Sequence, residues 1–181
     1  DNMKFGLGKC TYVPKTGGGG GGGGDKKNKK ALGSGMDTYE GVFDRNLRNG
    51  RGTMSYADGS CYSGVWRDDS PHGHGRRFVA VAGSPSEASC DQYEGTWLEG
   101  KPSGEGVMDY ANGDIFTGTF VKGRPHGQGK MTYKKRETMV HGEWEVGKPH
   151  GAARVTDSQG HTVSKLFKHG EEIEAAPEDE W

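Results

Sequence analysis

The sequence predicts an all-β chain, an elongated single-layer array of stacked antiparallel β-hairpins. Three observations carry that expectation. An aromatic–x–glycine–x–aromatic unit recurs, as Tyr39-Glu40-Gly41-Val42-Phe43, Tyr62-Ser63-Gly64-Val65-Trp66, Tyr93-Glu94-Gly95-Thr96-Trp97 and Phe116-Thr117-Gly118-Thr119-Phe120, with a weaker copy in Val140-His141-Gly142-Glu143-Trp144. Each copy is followed by a glycine pair two residues apart, Gly50/Gly52, Gly73/Gly75, Gly104/Gly106 and Gly127/Gly129, which becomes Gly151/Ala153 in the last. The central glycines advance by 23, 31, 23 and 24 residues, a step that marks internal repeats.

Composition agrees with a thin array. Only 30% of residues are hydrophobic and the mean hydropathy is −0.90, too little apolar material for a large closed core. Disordered chains share that poverty but lack aromatics; four Trp, seven Tyr and six Phe occur here at regular intervals. The net charge of −1 conceals a polarity. Residues 1–36 carry seven Lys against two Asp, residues 37–170 balance 17 bases with 17 acids, and residues 171–181 carry six acids and no base. That balance gives no basic face for nucleic acid, which is excluded as a partner. Cys10, Cys61 and Cys90 are odd in number and widely spaced, so no disulfide framework is expected and a reducing, cytoplasmic setting is the default. No apolar run approaches the ~18 residues that span a bilayer.

In chain order, residues 1–17 read as the second half of a repeat. Phe5–Tyr12 matches His126–Tyr133 at five of eight positions. The chain therefore opens inside a unit and is expected to be a fragment. Residues 18–36 continue the run of eight glycines and add four lysines; they are expected to form a flexible Gly/Lys-rich insertion. Lys26 and Lys27 beside that run do not make a phosphate loop, because no Ser or Thr follows the lysine and no strand–helix pattern flanks it. Residues 37–170 are the array, five repeats and a sixth, eroded copy in Val163-Ser164-Lys165-Leu166-Phe167, with an insertion near 79–92. Both insertions fall between one unit and the next, so they are expected at one edge of the array. Residues 171–181 are an acidic tail, with a short helix plausible only over Glu171–Ala176.

Each unit reads as a hairpin. Side chains two apart in a strand share a face, so Tyr93, Gly95 and Trp97 point one way, and Gly104, Gly106, Met108 and Tyr110 also share a face. Gly100 and Pro102, between the two runs, place the turn in Leu98–Ser103. Asp58-Gly59, Asn112-Gly113 and Gln159-Gly160 mark the turns that join units. Glycine weakens a strand unless something needs the room; a ring from the neighbouring strand, lying over a position with no Cβ, is the expected occupant. About twelve strands at about 4.8 Å make a ribbon about 55–60 Å long.

The spacing Tyr-x-Gly-x-Trp-x-x-Gly-x-x-x-Gly-x-Gly strongly resembles the membrane occupation and recognition nexus (MORN) repeat. The copies at Tyr62, Tyr93 and Phe116 match closely, that at Tyr39 well, while Val140 and Ala153 depart from the pattern and the last copy lacks its glycine. The resemblance covers about four fifths of the chain. It implies a curved or twisted ribbon of hairpins that acts as a binding and scaffolding module in cytoskeletal, ciliary or membrane-contact assemblies, or as an accessory domain of a larger enzyme.

The aromatic stripe of Tyr39, Phe43, Tyr62, Trp66, Tyr93, Trp97, Phe116, Phe120 and Trp144 is the candidate partner-binding surface. A single-layer sheet lacks a second layer to cover it, and the open part would receive a helix or an extended peptide of a partner protein. The edge or end of the ribbon is the candidate for self-association. Lys101, Lys122, Arg124, Lys130 and Lys148 recur near the turns and are candidates for anionic phospholipid headgroups, against Glu94, Glu99, Glu105 and Glu143. His72, His126 and His150 hold one turn position in three repeats. Ligands must meet at one point, whereas equivalent residues one repeat apart stand about 9–10 Å apart. A local hydrogen bond that completes the turn is therefore expected, with no metal and no cofactor. No nucleophile or acid–base constellation stands out, and a thin ribbon offers little to exclude water. The chain reads as a non-enzymatic scaffold.

Overall fold

A computed structural model describes residues 6–12, 36–79 and 90–174. The insertion at 18–35, residues 80–89 of the second insertion and the tail from 175 lie outside the described residues. Thirteen strands follow in chain order: β1 (Gly6–Tyr12), β2 (Asp37–Asp44), β3 (Leu47–Ser55), β4 (Cys61–Arg67), β5 (Ser70–Val79), β6 (Asp91–Leu98), β7 (Lys101–Asp109), β8 (Ile115–Val121), β9 (Arg124–Tyr133), β10 (Thr138–Glu145), β11 (Lys148–Thr156), β12 (Thr162–Lys168) and β13 (Glu171–Ile173). They form one antiparallel sheet in which spatial order equals sequence order. The all-β ribbon is thus as expected. Alternate strands of such a meander end at the same edge, so β1 and β5 both end there, at Tyr12 and Val79.

The other edge carries two-residue turns. Between β6 and β7, Glu99 and Gly100 have φ of 49° and 78°, the two positive values that a type I′ turn needs. Pro102, expected in the turn, lies in β7 and pairs with Trp97. The turn is tighter than its composition suggests because Glu99 and Gly100 both take left-handed values and complete the reversal without Pro102. His169 and Gly170, at φ 51° and 92°, make the same reversal and start β13. The helix expected from Glu171 is therefore replaced at Glu171–Ile173 by a strand paired with β12.

Successive turns on this edge lean on one another. Gly100, Gly123, Gly147 and Gly170 donate their N–H groups to the carbonyls of Pro71, Pro102, Pro125 and Pro149 at 2.8–2.9 Å. Where the first repeat has Arg48 instead of proline, the N–H of Asp69 reaches the Arg48 carbonyl at 3.1 Å. Asp69 Oδ1 in turn accepts from Arg48 N and Nε, each at 2.8 Å. Burial works against the charged carboxylate of Asp69, but these bonds and the guanidinium charge hold its pKa below the ordinary value. The opposite edge has its own latch: Asp37, Asp91 and Asp114 accept the backbone N–H of Ala57, Ala111 and Lys134 from the next turn.

One glycine per strand stands in direct register across the sheet. The row runs Gly8, Gly41, Gly52, Gly64, Gly75, Gly95, Gly106, Gly118, Gly129 and Gly142, then Ala153 and Lys165. Within β2–β3, β4–β5, β6–β7, β8–β9 and β10–β11 the pairing shifts just after this row. In β6–β7 it passes from Gly95↔Gly106 to Trp97↔Pro102, so β7 carries extra residues and bulges. Gly104 sits in the bulge at φ 90°, which explains the first glycine of the Gly-x-Gly pair.

Candidate interaction surface

The rings lie on the glycine row, as the composition anticipates. A Cβ built on Gly52, Gly75 or Gly106 would overlap the hydroxyl end of Tyr39, Tyr62 or Tyr93 on the adjacent strand, and one on Gly129 would overlap the Phe116 ring. Each ring meets the next edge to face. Tyr39–Trp66, Tyr62–Trp66, Tyr62–Trp97, Tyr93–Trp97, Tyr93–Phe120, Phe116–Phe120 and Phe116–Trp144 have centroids 4.9–5.4 Å apart at interplanar angles of 76–89°. The polar tips are paired. Trp66, Trp97 and Trp144 donate Nε1–H to the carbonyls of Gly52, Gly75 and Gly129, and the hydroxyls of Tyr39, Tyr62 and Tyr93 donate to the carbonyls of Val42, Val65 and Thr96.

This overturns the candidate partner surface. Tyr39, Phe43, Tyr62, Trp66, Tyr93, Trp97, Phe116, Phe120 and Trp144 are all at most 3% exposed. Alternation along a strand assigns the rings to one face, but it does not show whether that face is open. The bulges and the edge-to-face stacking close it, so the rings are core.

The last unit shows the same rule from the other side. Val140 replaces the first aromatic and Ala153 replaces the glycine beneath it, and both are buried. A shorter side chain leaves room for one methyl group. The two departures from the repeat pattern compensate each other.

Burial also sets the acidity of the ladder. Loss of hydration pushes the Tyr62 and Tyr93 hydroxyls up from the ordinary 10.0 to about 12. The unfolded chain therefore releases these protons near pH 10 while the folded chain keeps them, so their contribution is complete below pH 10 and is lost as pH rises towards 12. Thermal melts across that window should show Tm falling, with the drop reduced in Tyr93→Phe.

The open face is the other one. Residues that alternate with the rings line shallow troughs whose floor is the glycine row. One, of about 720 Å3, is floored by Gly8, Gly41, Gly52 and Gly64 and walled by the apolar Leu7 and Val65 together with Lys9, Glu40, Arg51, Thr53, Ser63 and His74. A second, of about 500 Å3, continues over Gly95 and Gly106 between Arg76, Glu94, Glu105 and Thr117. The walls mix apolar and polar side chains, and some of the polar ones are cross-linked: Lys9 pairs with Glu40 at 3.4 Å and Thr53 with Ser63 at 3.0 Å. Sequence reasoning did not single these residues out as a binding surface. Their signal is their position between ring and glycine in a strand with the opposite face filled.

Of the basic candidates, Lys101, Lys122, Arg124 and Lys148 lie along the tight-turn edge, whereas Lys130 lies within β9, opposite Thr117 and His141. The same edge exposes Leu98, Val121 and Val146.

The histidines part company. His72 and His126 remain on β5 and β9, and His150, on β11, meets residues that sequence spacing did not bring to it. Its Nδ1 lies 3.3 Å from Glu145 Oε2 and accepts the backbone N–H of His169 at 3.4 Å. His169 Nδ1 lies 3.2 Å from the same oxygen. For His150 the contacts reach both its own turn, at Glu145, and the next one, at His169.

The MORN repeat family model matches residues 39–61, 62–78, 93–115 and 116–137, which are the four copies with the full glycine and aromatic pattern. The chain carries MORN repeats over residues 39–78 and 93–137. MORN repeats are non-enzymatic modules of protein and membrane interaction. A 78-residue stretch, 43% of this MORN array chain, is 36% identical to alsin of Homo sapiens and of Pan troglodytes, and 33% identical to the human ALS2 C-terminal-like protein. The match spans 4% of each alsin and 8% of the ALS2 C-terminal-like protein, so it concerns a small part of those chains.

Proposed function

We propose that the chain is a non-enzymatic scaffold that receives a segment of a partner protein, extended or helical, in the troughs over its glycine row. The observation that carries this reading is the open trough of about 720 Å3 on the face opposite the rings, where backbone floors the site and charged, hydroxyl and apolar side chains wall it. A glycine floor lets a partner's backbone or side chains approach closely, and mixed charges along the walls supply register. Cytoskeletal, ciliary or membrane-contact assemblies are the settings this reading favours, with the ends of the ribbon available for self-association. In the test, interactors captured by the parent chain are compared with those of Arg51→Glu/His74→Glu. Both residues are surface groups of the trough wall, so Tm should hold while recovery falls at least tenfold. Equal recovery would sink the trough reading.

A second reading rests on the tight-turn edge. There Leu98, Val121 and Val146 are 50%, 44% and 54% exposed beside Lys101, Lys122, Arg124 and Lys148. Apolar side chains among cations suit an anionic membrane surface, at about 1 kcal/mol per charge near the headgroups. Flotation with phosphatidylserine vesicles at low salt should carry the chain upward and lose it on reversal of Lys122 and Arg124 to Glu. A chain that stays at the bottom rules this reading out.

A further inference from the structure

We infer that Glu145, His150 and His169 form a binding site for a zinc-class divalent cation that fastens the C-terminal end of the ribbon. One ligand atom of each residue lies within 4.8 Å of the other two. Glu145 closes β10, His150 sits near the start of β11, and His169 is the first residue of the turn before β13. The hydrogen bond from Gly170 N–H to the Pro149 carbonyl, 2.9 Å, draws that turn onto β11. It leaves the two imidazoles with centroids 5.0 Å apart, both turned to one carboxylate.

The spacing fits a metal. Zinc holds nitrogen and oxygen ligands at about 2.0–2.2 Å in a tetrahedron, which puts neighbouring ligand atoms about 3.3–3.5 Å apart. Glu145 Oε2 stands 3.3 Å from Nδ1 of His150 and 3.2 Å from Nδ1 of His169. His150 Nδ1 also lies 3.4 Å from the His169 N–H, and Glu145 Oε2, the oxygen that both imidazoles face, is shielded from solvent. Coordination exchanges the long 3.4 Å hydrogen bond for a metal–nitrogen bond and neutralises the carboxylate. Three protein donors leave a fourth position for water.

The same stations elsewhere in the array lack the ligand set. Beside His126 they hold Val121 and Val146, and beside His72 they hold Arg67 and Glu99. The cation belongs to the step where the ribbon's own pattern fades. There Lys165 ends the glycine row, and β13 adds three residue pairs to β12. A metal across the last two turns compensates for that weak pairing.

The test is titration of the untagged full chain with Zn2+ at neutral pH, followed by calorimetry and thermal melting, with Co2+ as a spectroscopic stand-in. One equivalent should bind, Tm should rise, and Co2+ should give the visible absorption of a tetrahedral nitrogen–oxygen site. His169→Ala and the isosteric Glu145→Gln should each weaken binding at least tenfold and abolish the Tm rise, while His126→Ala should leave both intact. The proposal fails if Zn2+ does not bind, or if His169→Ala and Glu145→Gln bind it as the parent does. An octahedral Co2+ spectrum unchanged in His169→Ala would equally overturn it.

Discussion

Trp97→Ala is expected to destabilise the fold by about 3–5 kcal/mol, in the range of aromatic-to-alanine changes in closed cores. Trp97 is 2% exposed. Its ring is gripped between Tyr62 and Tyr93 at centroid distances of 5.1 and 5.2 Å, and its Nε1–H reaches the Gly75 carbonyl at 2.9 Å. The substitution removes both ring contacts, leaves a buried carbonyl without its donor and opens a cavity between two repeats. Because a repeat stacks only on its neighbours, the ladder is cut in its middle and nothing on the far side restores it. Trp97→Phe should cost only about 1–2 kcal/mol, mainly the lost hydrogen bond, since Phe43 and Phe120 already occupy this station in other units. Urea unfolding of both variants measures the difference. A Trp97→Ala variant with parental stability would mean that the ring is a docking surface after all.

Gly106→Ala is the second large effect, expected at about 2–3 kcal/mol by overpacking. The added methyl group would collide with the Tyr93 ring and hydroxyl. The collision is with a side chain held by its own hydrogen bond to the Thr96 carbonyl at 3.0 Å and by two ring partners, so neither can move aside cheaply. Shortening the ring should relieve it. Tyr93→Val alone leaves a cavity at a cost of about 3 kcal/mol, but Tyr93→Val with Gly106→Ala should be more stable than the sum of the two losses by at least about 1 kcal/mol. Val140 over Ala153 is that arrangement already present in the chain. Strict additivity in a double-mutant cycle would refute the packing rule.

These two positions show how far the residues could be read without coordinates. That glycine makes room for a ring on the next strand was legible, because glycine in a strand needs a reason and the aromatic stands at a fixed offset. Which glycine serves which purpose was not. Gly104 and Gly106 look alike in sequence, yet the first sits in a bulge at φ 90° and the second lies under Tyr93. The expected docking stripe failed for a related reason. Period two sorts Trp66 and Trp97 from Arg51 and His74, but exposure depends on how the sheet bends at each bulge. The latches of Asp37, Asp91 and Asp114 escaped notice because each reaches a turn about 20 residues on, where no local pattern announces the bond.

The sequence by itself determined the strand period, the hairpin unit, the repeat step and the pairing of glycine with aromatic, since all four follow from local geometry repeated along the chain. Only the tertiary structure decided which face is closed and which is open, because that depends on the bend after the glycine row. It alone placed His169 against His150, because their meeting depends on one turn leaning on the next through the Gly170–Pro149 hydrogen bond.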